Sequence, residues 1–391
     1  MLSYSIIKKA GIPGILLYIW SFLPFLISRG RTSENYNSID SSAITQIAVI
    51  FIIFCYIFFN IKENFKYYIF LFKKTFLKYL FLYFFMCLIS FIWSYDPVYV
   101  LWRSYETLVL FLIVLNLAIK LNFNYIDIAK WAVNWSFIFG VILYFIFVLN
   151  MQIDFNSLHG FGVYYFGSLL FFPLLYKDYK MFLVMFFIMI FATSTKSYLG
   201  FLLSIVFFIF FTRNLKIQIL TFAVFLLISF IVLYINDFSI LEILFPNKTE
   251  ENIASGTGRL PVWEVLIDAA LNKPFFGYGF QLGEREAASI LNMRVVSAHN
   301  SFLSAVLSIG VFGMQFLVLF FLNMFFLCFK FRRNQNALLL LCCVTMSFIF
   351  SIFDNSIGTR ISPAWLSTVI LAIVIASYTL KNNFHENFNN K

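Results

Sequence analysis

Twelve runs of apolar residues, each about as long as a bilayer is thick, decide what this chain can become. They fall at 12–28, 43–61, 76–93, 101–119, 129–149, 160–176, 181–195, 198–212, 215–235, 301–328, 337–353 and 363–380. A helix needs roughly 20 apolar residues to cross the hydrocarbon core. The expected fold is therefore all-α: a polytopic integral membrane protein of about twelve spanning helices. Only 12% of the residues are charged, against about 25% in soluble domains. So little charge excludes a soluble enzyme, a disordered chain and a nucleic-acid-binding module, and no nucleic-acid partner is expected.

The few charges orient the spans. With the N-terminus inside and the runs alternating, 18 of the 28 basic residues fall on the inner side, but only four of the 18 acidic ones. The inner side then carries +14 and the outer side −4, which together make the net +10. Each inner loop is basic, as the positive-inside rule requires. Both termini are expected in the cytoplasm. The first run is too long for a signal-peptide core and is followed by Arg29 and Arg31, so no cleavable signal is read. The five cysteines lie within spans and lack metal-ligand spacing, and read as small apolar fillers.

One connection departs from the pattern of short loops. Residues 236–300 form an outer segment of 65 residues with 13 of the 46 charges. Loops this long are usually functional or disordered. This one has internal organisation. Gly256-Thr257-Gly258 makes a turn, and Arg259 follows. From there to Leu271, Leu260, Trp263, Ile267 and Leu271 recur at helical spacing, with Pro261 suited to a first turn. This reads as an amphipathic helix on the outer membrane surface. Lys273-Pro274 ends it, Gly277-Tyr278-Gly279 bends the chain, and a second helix is expected from about Gly283 to Leu291. The organisation is thus nine spans in 1–235, the outer loop 236–300, and three spans with a polar tail in 301–391.

The candidate site residues are outer polar groups. Arg259 sits where a glycine turn meets a helix start, a place for an anion, although a loop arginine can also simply flank a turn. His299, in Ala298-His299-Asn300-Ser301, stands where the loop meets the tenth span. It suits a general base or a hydroxyl-orienting group; a plain hydrogen bond to a carbonyl would use it equally well. His159 is a weaker candidate, and His385 falls in the polar tail. Arg103, Glu106, Lys196, Asp354 and Arg360 are further outer charges that a helix bundle would draw together. Charges this near hydrocarbon mark functional sites by default, with snorkelling or pairing, such as Arg103 with Glu106 at i, i+3, as the structural reading. There is no phosphate-binding loop, dinucleotide fingerprint or nucleophile elbow. No metal or cofactor is read.

The set Gly256-Thr257-Gly258-Arg259…Trp263, Lys273-Pro274-Phe275-Phe276-Gly277-Tyr278-Gly279 and Ala298-His299-Asn300-Ser301-Phe302-Leu303…Gly310 resembles the signature of the bacterial O-antigen ligase and O-antigen polymerase superfamily. Those enzymes are multi-span membrane glycosyltransferases. The long outer loop between the ninth and tenth spans is also similar. As motif the resemblance covers about 193–203 and 256–313.

The resemblance implies metal-independent inverting transfer of sugars linked to undecaprenyl diphosphate, at the periplasmic face of the bacterial inner membrane. It implies an active-site arginine at Arg259 and histidine at His299. The diphosphate would be bound by Arg259 with Lys196, Arg103 and Arg360. Partners would be undecaprenyl-diphosphate-linked oligosaccharides, the bilayer and a chain-length regulator protein. The family commonly has a second arginine in the outer turn where this chain has Lys196. A lysine keeps the charge and loses the bidentate fork. Within the superfamily the loop motif, the Phe-rich composition and Lys196 favour a polymerase over a ligase that loads lipid A core. A transporter or flippase is the reading outside the enzyme class. It is disfavoured by the 65-residue loop and by the lack of matched broken helices in two halves.

Overall fold

The computed structural model describes residues 4–26, 41–149, 167–191, 195–211, 219, 259–290, 297–354, 357 and 362–389. Among them every regular element is helical. In chain order these are α1 (Tyr4–Leu26), α2 (Ser41–Phe59), α3 (Ile61–Lys74), α4 (Leu77–Ile89) with a 3-10 turn at Ser90–Trp93, and α5 (Pro97–Lys120). Then come α6 (Tyr125–Leu149), a 3-10 turn at Gly167–Leu169, the short α7 (Phe172–Leu175), α8 (Tyr179–Phe191) and α9 (Thr195–Phe211). After these follow α10 (Arg259–Asn272), α11 (Gly283–Ile290), α12 (Ser301–Lys330), α13 (Gln335–Phe353) and α14 (Pro363–Asn389).

Four of these are long and apolar enough to cross a bilayer: α5, α12, α13 and α14 over Pro363–Asn382. Shorter apolar helices accompany them, at Leu77–Trp93, Tyr179–Met189 and Lys196–Phe211. The protein is an all-α, multi-span membrane protein. Apart from Ile219, the ninth expected span lies outside the described residues, as do residues 160–166 of the sixth.

Local chemistry starts and ends the spans. The Asp96 carboxylate accepts the Tyr99 amide of α5 at 3.1 Å, with Pro97 at its first position. Asn300 accepts from the amides of Phe302 and Leu303 and so caps α12. The spans then bury aromatics in tilted contact, such as Phe84 with Phe111 and Trp365.

Small residues set the closest contact. α9 lies against α13 where Ser204 donates to the Cys342 carbonyl at 3.0 Å and the Cys342 thiol donates to the Ser204 carbonyl at 3.3 Å. One turn earlier, a Cβ on Gly200 would stand 3.0 Å from the Met346 sulfur. Small residues let membrane helices approach this closely. The antiparallel register, 204 beside 342 and 200 beside 346, carries Lys196 to Asp354 at the end expected to face outward.

Polar contacts join residues assigned to the same side. Lys9 pairs with Asp127, and the Asn336 amide donates to the Tyr125 hydroxyl at 2.9 Å, all inner residues. Lys196 pairs with Asp354, and Arg103 with Glu106 at 2.9 Å, all outer ones.

Two features depart from the sequence reading. The stretch between the second and third runs is not a loop but α3, bent 88° from α2. The tenth span is not one straight helix either. Gly310 has φ 67° and ψ −175° and breaks α12. The turn 274–279 fills the break. The amides of Tyr278 and Gly279 donate to the carbonyls of Leu307 and Ser308, each at 2.8 Å. The amides of Val311 and Phe312 donate to the carbonyls of Pro274 and Phe275 at 2.8 and 3.4 Å. Backbone groups freed by a break must find partners away from water, and the loop supplies them on both sides. From Val311 to Lys330 the helix rises about 30 Å, a full hydrocarbon thickness. The part ahead of the break is therefore left at the outer end.

Candidate functional site

Within the expected outer segment, the described residues 259–290 form two helices held against α12. α10 and α11 match the two helices expected from the spacing, to within a residue or two. The face that packs differs. Leu266, Ala269 and Ala270 are buried, whereas Leu260, Ile267 and Leu271 of the expected apolar stripe are 47%, 48% and 67% exposed. The helix has two apolar faces, one against protein and one left facing outward. The turn that follows docks tightly: the Phe280 amide donates to Ser90 Oγ at 3.0 Å. A Cβ on Gly277 would stand 2.6 Å from the Leu307 carbonyl oxygen.

These helices hold His299 in place through its neighbour. Ala298 uses both backbone groups: its amide donates to Glu284 Oε1 at 3.1 Å, and its carbonyl accepts from Trp263 Nε1 at 2.6 Å. Ser304 on α12 also donates to Glu284 Oε1. His299 itself has φ 42°. That left-handed conformation costs a non-glycine residue roughly 1–2 kcal/mol and persists only where neighbours impose it. The imidazole is half exposed.

Asp354, at the end of α13, is the hub. One carboxylate oxygen pairs with Lys196, and the other stands 3.7 Å from His299 Nδ1. That second distance is too long for a hydrogen bond. The Asp354 carbonyl accepts from Ser301 Oγ at 3.1 Å, and Ser301 Oγ accepts the Ile357 amide at 3.2 Å, which ties the last outer loop to the start of α12. Arg259, first residue of α10, lies one turn ahead of Trp263, whose indole holds the Ala298 carbonyl next to His299. Lys196, Arg259, His299 and Asp354 thus come together from 158 residues of chain.

Arg103 belongs to a second outer group. It pairs with Glu106, which also accepts from Gln46, and it lies 5.3 Å from the centre of the Tyr99 ring. Arg285 covers the same ring at 4.4 Å and donates to its hydroxyl at 2.8 Å. α11 connects the groups, with Arg285 turned to Tyr99 and Glu284 to the His299 segment. Burial and then the charge of Glu286 push the Tyr95 and Tyr278 phenols up. Arg360, His159 and the turn Gly256-Thr257-Gly258 lie outside the described residues.

Glu284 and Trp263 are positioning groups that sequence alone did not single out. Trp263 was visible as part of an apolar stripe and of the motif that carries the family resemblance, with no role attached, and Glu284 only as a loop charge. Their role arises from a contact to backbone 14 and 35 residues away, which no local pattern encodes.

Fold and site together define a class: a helical multi-span protein with a compact group of cations, a histidine and a carboxylate at one end, under a helical loop. Residues 181–318 match the family model described as O-antigen ligase. The matched segment includes Lys196, Arg259, His299 and the Gly310 break. It supports the O-antigen ligase and polymerase superfamily, and with the apolar helices it supports a multi-pass membrane enzyme of the glycosyltransferase type. No curated protein matches the chain.

Proposed function

We propose that this protein joins undecaprenyl-diphosphate-linked oligosaccharide units into longer polysaccharide at the periplasmic face of the inner membrane. The observation that carries this reading is the meeting of Lys196, Arg259, His299 and Asp354 at the outer end of the bundle. In an inverting transfer, an acceptor hydroxyl attacks the anomeric carbon while the bond to the diphosphate breaks. Negative charge grows on the leaving diphosphate, and preformed cations aimed at it are a main catalytic device. Arg259 and Lys196 take that role, and no metal is required. His299 orients the acceptor hydroxyl and accepts its proton as the bond forms. Asp354 holds Lys196 in place and stands beside the imidazole to stabilise its charged form. Arg103 contributes from the neighbouring group, and Arg360 from the last outer loop.

Transfer of finished polysaccharide to lipid A core is the second reading. The description of the matched family as a ligase favours it. Lys196, in place of the usual arginine, favours polymerisation.

A lipopolysaccharide gel separates the two. Deleting the gene in its own host leaves core with one repeat unit if the protein is a polymerase, and bare core if it is a ligase. Repeat units held on lipid carrier at the cytoplasmic face would point to a flippase. Long chains persisting in both His299→Ala and Arg259→Ala strains, at normal protein levels, would show that the site is elsewhere.

A further inference from the structure

The inner end carries a feature that the proposed reaction does not use. α3 leaves α2 at 88° and so lies across the bundle, not along it. It stands where α5 turns into α6: Asn64 donates to Asn116 Oδ1, Asn116 Nδ2 donates to the Tyr68 hydroxyl at 2.6 Å, and the Tyr67 ring lies 6.1 Å from that of Phe123. Asn116 is one turn from Lys120, the basic end of α5. This is the end at which Lys9 meets Asp127.

Ten of the 14 residues of α3 sort into three adjacent faces, and Glu63, Tyr67, Phe70 and Lys74 make up the remaining side. At ~100° per residue, Asn64, Tyr68 and Leu71 fall within about 60° of one another. Tyr68 and Leu71 are the buried residues. Ile61, Phe65, Ile69 and Phe72 fall within about 80° on the next face, and all four are exposed. Lys62, Lys66 and Lys73 fall within about 40° beyond that, and all three are exposed too. An exposed apolar strip beside a lysine strip, on a helix lying across the spans, is the pattern of an interfacial helix. The apolar strip enters the acyl boundary and the lysines lie at headgroup depth. Their shared charge selects anionic headgroups.

We propose that α3 is a lipid-recognition element, whose Lys62, Lys66 and Lys73 bind the headgroups of anionic phospholipids in the leaflet at the inner end. Neither side of this contact involves the outer cations, so it stands or falls apart from the glycosyl-transfer reading.

The test uses the full-length protein in phosphatidylcholine vesicles doped with spin-labelled phosphatidylglycerol or spin-labelled phosphatidylcholine. The measured quantity is the ratio of their protein-restricted fractions, converted to a relative association constant. The native chain should favour phosphatidylglycerol, and raising salt to about 1 M should weaken the preference. Replacing the three lysines together (Lys62→Gln, Lys66→Gln, Lys73→Gln) should lower it severalfold, at most about fivefold per lysine. Replacing Lys330, Arg332 and Arg333 by Gln, elsewhere on the inner side, should leave most of it. A native ratio of one overturns the proposal, as does a preference that survives the α3 substitutions. An equal loss from the second triple variant would also overturn it, because the preference would then reflect inner charge in general. Thermal midpoints of both variants near that of the native chain establish that each is folded.

Discussion

Lys196 and Asp354 form an ion pair across 158 residues of chain, with side chains only 14% and 9% exposed. The pair closes the outer end of the α9–α13 contact, whose inner steps are Gly200 against Met346 and Ser204 against Cys342. It also brings a fixed cation to within one residue of the His299 imidazole. Removing one partner of a buried pair leaves a lone charge, at a cost of about 3–5 kcal/mol. Asp354→Leu alone should therefore lower the thermal midpoint in detergent and abolish chain extension. Lys196→Met paired with Asp354→Leu should recover much of the stability and none of the activity. A double-mutant cycle on the midpoints, with gels for chain length, measures both.

Lys196→Arg keeps the charge and adds a fork able to grip two phosphate oxygens. Chain extension should stay within about threefold of native, because a diphosphate partner accepts either cation, whereas Lys196→Met should lose about a hundredfold, or some 2.7 kcal/mol of transition-state stabilisation. Polymer yield at matched protein levels tests this. Equal activity of Met and Lys at position 196 would remove the residue from the site.

Trp263 holds the carbonyl of Ala298, and through it the unusual backbone of His299. Trp263→Phe keeps most of the ring and deletes the donor, leaving that carbonyl without this bond. Such a loss costs about 1–3 kcal/mol. Turnover should fall about tenfold, while KM for lipid-linked donor changes little, since the diphosphate cations are untouched. A parallel rise in KM would mean that α10 itself had moved.

Gly310 cannot accept a side chain. Its φ is +67°, and an added Cβ would stand 2.0 Å from the Phe275 carbonyl oxygen. Gly310→Ala should separate the 274–279 turn from α12 and cost more than the roughly 1–2 kcal/mol of left-handed strain alone. Protease exposure of the outer loop should rise sharply. Ala at Gly200, where the nearest atom is the flexible Met346 sulfur at 3.0 Å, should be tolerated far better.

Much of the site was legible in the sequence, and for identifiable reasons. The loop helix at 259–272 showed itself by its periodicity, and Pro274 with the glycines at 277 and 279 marked the turn that follows. Charge asymmetry assigned Lys196, Asp354, Arg259 and His299 to one side before any contact was known. The expected meeting of Arg103 with those groups was not visible as two clusters: sequence gives a charge its depth, not its bearing around the bundle. α3 was not legible because its buried residues, exposed apolar strip and lysine strip sit on separate faces, with a mixed fourth side of Glu63, Tyr67, Phe70 and Lys74. A two-class apolar and polar pattern blurs these into an ordinary basic loop.

Length and apolarity in the chain alone determined that it spans a membrane, and charge placement gave the expected sidedness of its loops and marked one of them as unusual. These follow from one-dimensional constraints: bilayer thickness and the cost of moving charge across it. Only the tertiary structure decided that α12 breaks at Gly310, that the loop's own backbone fills that break, and that Asp354 faces both Lys196 and His299. Each depends on hydrogen bonds and charge pairs between segments distant in sequence. For Lys196 and Asp354, that meeting rests on the close approach of α9 and α13 through Gly200, Ser204 and Cys342.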